Sequence, residues 1–290
     1  MSFHKRLSSG EFVVLAEMDT PKGVDISEFV INARRLKGRV DAVTIPDMGN
    51  GVMRMTALGG GVLMQQQGME AIIHVCCRDR NQIALQGELL SAYALGIQNL
   101  IVDRGEDLTL GDHIDAKPVK DLDELGLLGA MQALQKGADL SGIVLNGKPS
   151  FIVGCTIAPF GDEKALDTEL EIARKKVEKG ACFFISPPVF DPEQFLFLKE
   201  RARDLNVPII PTVILLKSVG MARYMTANLP GVKIAENTIN RIRRASDRIL
   251  ECFRIAGETI SALRESAQGV KIVTLGWEHR IPGILDSAGL

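Results

Sequence analysis

The sequence predicts an α/β fold, a single (β/α)8 barrel over residues 1–290, on three observations. Short apolar runs rich in Val and Ile alternate with longer stretches of helical period, eight such runs occur, and the apolar residues in each are consecutive instead of alternate. Consecutive apolar residues need cover on both faces, which is the condition of a parallel strand flanked by crossover helices. Eight units suit a closed barrel, although the same alternation is met by an open doubly wound sheet. No Ser-, Gly- or Pro-rich linker and no low-complexity tract breaks the rhythm, so no domain boundary is read.

The elements follow in order. FVVLAEM (12–18) is the first strand; it ends on a carboxylate, Glu17, before the turn Thr20-Pro21-Lys22-Gly23, and a helix over Ser27–Leu36 leads to VDAVTI (40–45). AIIHVC (71–76) is the third strand, after which RDRN (78–81) opens a helix over 81–94. NLIVD (99–103) is the fourth, followed by the charged turn DRGED and a helix over 121–135. FIVGC (151–155), a helix over 163–179, CFFIS (182–186), a helix over 192–206 and PIIPT (208–212) continue the alternation. A long helix over 238–267 then precedes the last strand, KIVTL (271–275).

Composition excludes several function classes. The chain is 46% hydrophobic and carries 34 basic against 36 acidic residues, a formal charge of −2, without a block of like charges. Nucleic acid and membrane surfaces are therefore poor partners. No apolar segment approaches the roughly 20 residues needed to cross a bilayer, and MSFHKRLSSGE lacks the apolar core of a signal peptide, so a cytoplasmic protein is expected. Five cysteines, at 76, 77, 155, 182 and 252, read as reduced core thiols. The adjacent Cys76-Cys77 has no metal-ligand spacing, and no P-loop, GxSxG, HExxH or GxGxxG after the first strand is present.

In a barrel of parallel strands chemistry sits at the C-terminal strand ends. The polar residues there are Glu17, Thr44, Asp47, His74, the turn from Asp103 to Asp107, and Ser186. Glu17 is either a loop cap paired with Lys22 or a general acid kept protonated near neutrality by apolar surroundings. His74, between Ile73 and Val75, is either a satisfied core histidine or a ligand-facing group. In RDRN, Asp79 caps the following helix beside solvated arginines, or the arginines and the helix start receive a phosphate. In DRGED, Gly105 allows a flat ligand to approach the backbone between Arg104 and Glu106. Glu169 and Lys176, two turns apart on one helix face, offer a lysine that reaches a phosphate or stays at the surface.

Taken in order, these stretches resemble the methylenetetrahydrofolate reductase family, flavin-dependent barrels that reduce the methylene group of a folate to a methyl. The likeness runs from LAEMDTPKG to PGVKIAE, and DAVTIPD, HVCCRDRNQIALQGELLSAYALGIQNLIV, GDHIDAKPVKDLDELGLL, RKKVEKGA and VFDPEQF are most similar to the branch of acetogenic and related anaerobes. The resemblance implies that Glu17 is the acid that protonates N10 of the folate, opening the ring to an N5 iminium that takes hydride from reduced flavin. It carries FAD or FMN contacts onto Thr44, His74, Arg104, Glu169 and Lys176, of which Lys176 is expected to be replaceable without unfolding the barrel. It implies a folate or related pterin as the small-molecule substrate, an electron-donor protein or NADH as reductant, and an oligomeric assembly.

The substrate side departs from the family pattern. Glu106 stands where most members carry Asp between flavin and pterin; Pro187 replaces a Gln that bonds the pterin; Val219 replaces a Phe that packs on the folate. Proline has neither an amide side chain nor an N–H. Two functions follow from the resemblance: a flavoprotein oxidoreductase interconverting methylene- and methyl-tetrahydrofolate or the equivalent tetrahydropterin pair, or a repurposed, non-catalytic flavin- or pterin-binding subunit of an electron-transfer complex. Glu17 favours the first, Pro187 and Val219 the second.

Overall fold

Side chains alternate between the two faces of a strand, so in a closed sheet every second residue points to the barrel axis and the rest meet the helices outside. The structure, a computed structural model describing residues 2–158 and 162–290, has this arrangement. Its strands are β1 (Val13–Glu17), β2 (Ala42–Ile45), β3 (Ala71–Cys76), β4 (Asn99–Asp103), β5 (Ile152–Thr156), β6 (Ala181–Pro188), β7 (Ile209–Ile214) and β8 (Gly269–Val273). They pair in parallel in chain order, and β8 returns to β1 with Leu15 opposite Lys271. Closure decides between the barrel and the open doubly wound sheet.

Around it run α1 (Phe3–Ser8), α2 (Ser27–Leu36), α3 (Ala57–Gln66), α4 (Gln82–Ala94), α5 (Glu124–Lys136), α6 (Glu163–Glu178), α7 (Pro192–Arg201), α8 (Val219–Asn228), α9 (Glu236–Arg244), α10 (Arg248–Leu263) and α11 (Ile281–Ala288). The continuous helix expected over 238–267 is two helices, because Asp247 leaves the helix and its carboxylate accepts the Leu250 N–H at 3.0 Å, starting α10 afresh. α3 was hidden in sequence by Gly59-Gly60-Gly61, poor helix formers. Packing overrides propensity there: a Cβ on Gly61 would lie 2.7 Å from Ile73 and Ile97, so the glycines let α3 sit close on the sheet.

The axis-facing residues divide into two layers. Val13, Leu15, Ala42, Ile72, Ile101, Phe183, Ile185 and Ile210 fill the lower barrel, and Phe3 and Leu7 of α1 plug its N-terminal end. Phe183 finds room because β5 carries Gly154, whose added Cβ would fall 2.3 Å from the ring. Two residues further along the same strands, on the same parity, come Glu17, Thr44, His74, Asp103, Pro187 and Thr212, so the apolar floor gives way to a polar rim at the C-terminal strand ends. A second apolar cluster, facing outward, joins the strands to the helices.

The five cysteines are all unpaired, four of them buried. Burial pushes the Cys77 thiol up to about 12, which removes it from thiolate chemistry near neutrality. Among the described residues no helix is long and apolar enough to cross a membrane, and no three His, Cys, Asp or Glu side chains are grouped to hold a metal ion.

Candidate functional site

A cavity of about 430 Å³ opens at the C-terminal strand ends, within the usual range of small-ligand sites. Glu17, His74, Asp103, Glu106, Pro187 and Lys271 are among the residues that line it. Glu17 is not in the apolar setting expected of it, nor paired with Lys22, which bonds Asp112. Its Oε2 lies 2.5 Å from Nζ of Lys271, an axis-facing residue of β8, and both side chains are largely buried. The acid therefore meets the cavity as half of an ion pair.

Two strands away stands His74 on β3. Its Nδ1 lies 3.1 Å from Oδ2 of Asp103 on β4, whose Oδ1 accepts the Gly105 N–H at 2.9 Å. Burial alone would raise the Asp103 carboxyl, but the bond and charge of His74, the Gly105 N–H and Lys271 outweigh it and hold it down at about 2. With Nδ1 engaged by Asp103, Nε2 is the ring nitrogen left to meet a ligand. Among the described residues that Nε2 is buried without a partner, so His74 is not the satisfied core histidine that its apolar neighbours suggest. Gly105 is needed by the protein itself: φ is +80°, and a Cβ there would lie 2.5 Å from Cys76 Sγ.

The next layer is a charged cluster behind the rim. Glu124, the first residue of α5, is buried and accepts from Arg104 at 3.0 and 3.2 Å and from Lys176 at 2.8 Å. Lys176 is neither a surface lysine nor a free phosphate ligand: its side chain is 1% exposed and also donates to Thr156 O at 3.1 Å, with Glu169 Oε1 at 3.9 Å. Glu169 accepts the Ala158 N–H at 2.9 Å and lines the cavity, as does the exposed side chain of Arg104. Arg104 and Glu124 also border a neighbouring cavity of about 610 Å³ between α5 and the loop after β3.

The arginines of RDRN are consumed by the fold. Arg78 chelates Asp79 and donates to the Glu106 and Met48 carbonyls, while Arg80 pairs with Asp47 at 2.6 Å and Glu88 at 2.7 Å. They tie the loops after β2, β3 and β4 together and are neither solvated nor free for a phosphate. Asn81, not Asp79, caps α4, accepting the Ala84 N–H at 3.0 Å.

On the substrate side, Glu106 is half exposed; its Oε2 accepts the Asn50 N–H at 3.2 Å. Desolvation at the cavity mouth, then Asp103, lifts its carboxyl above the ordinary range. Pro187 lines the wall where β6 loses its ladder: two prolines supply no N–H, the register slips between Ile185 and Pro188, and Thr212 N–H turns to Ser186 Oγ at 3.2 Å. Ser186 is thereby committed to the sheet. Val219 starts α8 and packs on the outer core without lining the cavity, and Thr44 is wholly buried, its hydroxyl 3.5 Å from Ala16 O, also away from the lining.

Lys271 and Glu124 were missed in sequence. A lysine heading the apolar run KIVTL was the available signal, since a cation within a strand covered on both faces needs a buried partner. Glu124 carried none, because an acid in the first turn of a helix is an ordinary complement to its dipole.

Comparison with known proteins is consistent along the whole chain. The family model described as Methylenetetrahydrofolate reductase matches residues 2–289. Methylenetetrahydrofolate reductase 2 of Schizosaccharomyces pombe is 24% identical over 243 residues, 79% of this chain but 37% of that protein, so the chain spans little more than a third of the relative's length. Among solved structures, an uncharacterized protein from Clostridium thermocellum that binds two copies of 5-methyl-5,6,7,8-tetrahydrofolic acid superposes with TM-score 0.66 at 15% identity over 98% of this chain and 97% of that one. An F420-dependent secondary alcohol dehydrogenase follows at 0.57 and 10% identity, covering 96% and 99%. At these identities the two structures establish the barrel fold.

Proposed function

Because the chain belongs to the methylenetetrahydrofolate reductase family, we propose that it interconverts 5,10-methylene- and 5-methyl-tetrahydrofolate, or the same pair on a related tetrahydropterin, in the cavity at the barrel mouth. The observation that carries this reading is Glu17 at the end of β1, an acid lining a ligand-sized cavity together with a buried imidazole nitrogen that has no partner among the described residues.

A flavin suits these residues. An orphaned, buried His74 Nε2 calls for a polar ligand atom, and the exposed Arg104 guanidinium, shared by two adjoining cavities, suits the phosphate end of an elongated cofactor. His74, Arg104 and Glu169 would hold FAD or FMN; Lys176 acts behind them by fixing Glu124 and Glu169. When bound, the flavin supplies hydride to the one-carbon unit. Glu17 protonates N10 of the folate, so that the ring opens to the N5 iminium that hydride reduces. Glu106, on the rim, faces the pterin side and accepts from its N–H groups. A protein electron donor, as in the anaerobe-type branch, would reach the flavin at the open mouth.

Pro187 supports a second reading, a flavin- or pterin-binding subunit without turnover, because that wall of the cavity offers no amide to a pterin edge. One experiment separates the two. The flavin-loaded protein is reduced with dithionite and then mixed with methylene-tetrahydrofolate. The reductase reading expects reoxidation by wild type, and a fall of about 10² to 10⁴ in its rate for Glu17→Gln, the contribution of a positioned general acid. If no methylene-tetrahydropterin reoxidises the wild type, the binding-subunit reading takes its place.

A further inference from the structure

We infer that Glu17 works as half of a dyad with Lys271, and that the proton given to N10 is drawn from Lys271 through Glu17; this rests on the reductase reading above. The geometry poses the problem that the inference answers. The proposed donor is a carboxylate paired with an ammonium group at 2.5 Å, and in that pair the transferable hydrogen belongs to Nζ. Lys271 lies on the axis-facing side of β8, which closes the barrel against β1, with Leu15 and Thr212 as its register partners. Both members of the pair line the same cavity.

The surrounding groups explain why a cation stands there. Asp19 lies near enough to Glu17 for the two carboxylates to act on each other, with Arg54 beside Asp19, and Asp103 with its His74 feels Lys271 from β4. Lys271 is the cation paired with Glu17, so without it the Glu17 carboxylate would lose its counter-ion in a largely buried site. Lys271 supplies that counter-ion and fixes Oε2.

The step balances within the pair and its substrate. An Nζ–H bond breaks as Glu17 gains the proton; the Glu17 O–H bond breaks as N10–H forms; the methylene carbon–N10 bond opens, and the carbon takes hydride from the reduced flavin. Lys271 is left as the amine and regains a proton from water at the cavity mouth. Lys271 acts through Glu17, so it is a positioning residue that also supplies the proton.

The test uses Lys271→Met, which keeps the stem, and Lys271→Arg, which keeps the charge but does not give up a proton at accessible pH. Two quantities are read: the affinity of the flavin-free protein for methyl-tetrahydrofolate, and the pH profile of flavin reoxidation by methylene-tetrahydrofolate, with dithionite reduction as control. Both variants should bind methyl-tetrahydrofolate within a few-fold of wild type and reoxidise about 10²- to 10⁴-fold more slowly. The alkaline limb of the wild-type profile, where the dyad loses its proton, should be absent from Lys271→Arg. Wild-type rate and profile in Lys271→Arg would overturn the inference, since charge alone would then suffice. Loss of methyl-tetrahydrofolate affinity in step with rate would also overturn it, by showing that Lys271 shapes the pocket. Failure of the wild type itself to be reoxidised is a separate result, and it removes the reductase reading on which the inference stands.

Discussion

Replacing Lys176 by Met tests whether the charged cluster behind the rim holds the barrel together. Methionine keeps the length of the side chain and its packing, and removes only the ammonium. In the native protein that ammonium is 2.8 Å from Glu124 Oε1, 3.1 Å from Thr156 O and 3.9 Å from Glu169 Oε1, on a side chain 1% exposed. Removing one partner from a buried pair costs about 3–5 kcal/mol, because the remaining charge stays desolvated. Glu124 keeps Arg104 and Glu169 keeps the Ala158 N–H, so the lower end, about 3 kcal/mol, applies. For a chain of this size that is a fall of roughly 6–12 °C in Tm, at about 2–4 °C per kcal/mol. Urea unfolding followed by circular dichroism should show a lower midpoint at unchanged slope. Adding Glu124→Gln should recover part of the loss, since the double variant no longer buries a carboxylate that has lost one of its two cations. A single variant within about 0.5 kcal/mol of wild type would refute the argument and return Lys176 to the replaceable role that its helix-face spacing suggests.

Two further outcomes are expected. Desolvation, against Arg54 and then with Glu17, Glu278 and Glu106, raises the Asp19 carboxyl, so its ionised form costs stability at neutral pH and its protonated form does not. Asp19→Asn should therefore raise Tm at pH 7 by more than at about pH 4, where free carboxyls are half protonated; an equal gain at both would contradict the linkage. Pro187→Gln restores an amide to the cavity wall and should tighten tetrahydrofolate binding by about 1–3 kcal/mol if a buried pterin edge is otherwise unpaired, measured by titration of the flavin-free protein. Unchanged or weaker binding would show that the missing amide is not what limits affinity.

Much of this architecture is local and so is legible along the chain. A strand that must be covered on both faces writes itself as a consecutive apolar run, and its two-residue parity then says which later residue shares the axis-facing side: Leu15 with Glu17, Ile72 with His74, Ile101 with Asp103. The rim acids and His74 were legible from their place at the C-terminal strand ends. Burial of the intervening helices was not, because Lys176 on α6 has the spacing of a surface lysine until α5 brings Glu124 over it. Arg78 and Arg80 likewise looked free until loops from three strands closed on them. The Glu17–Lys271 pair depends wholly on closure of the barrel. Periodicity specifies which face a residue takes but not its neighbour on another strand, and the hydrogen-bond register that sets Leu15 opposite Lys271 exists only once the first and last strands meet.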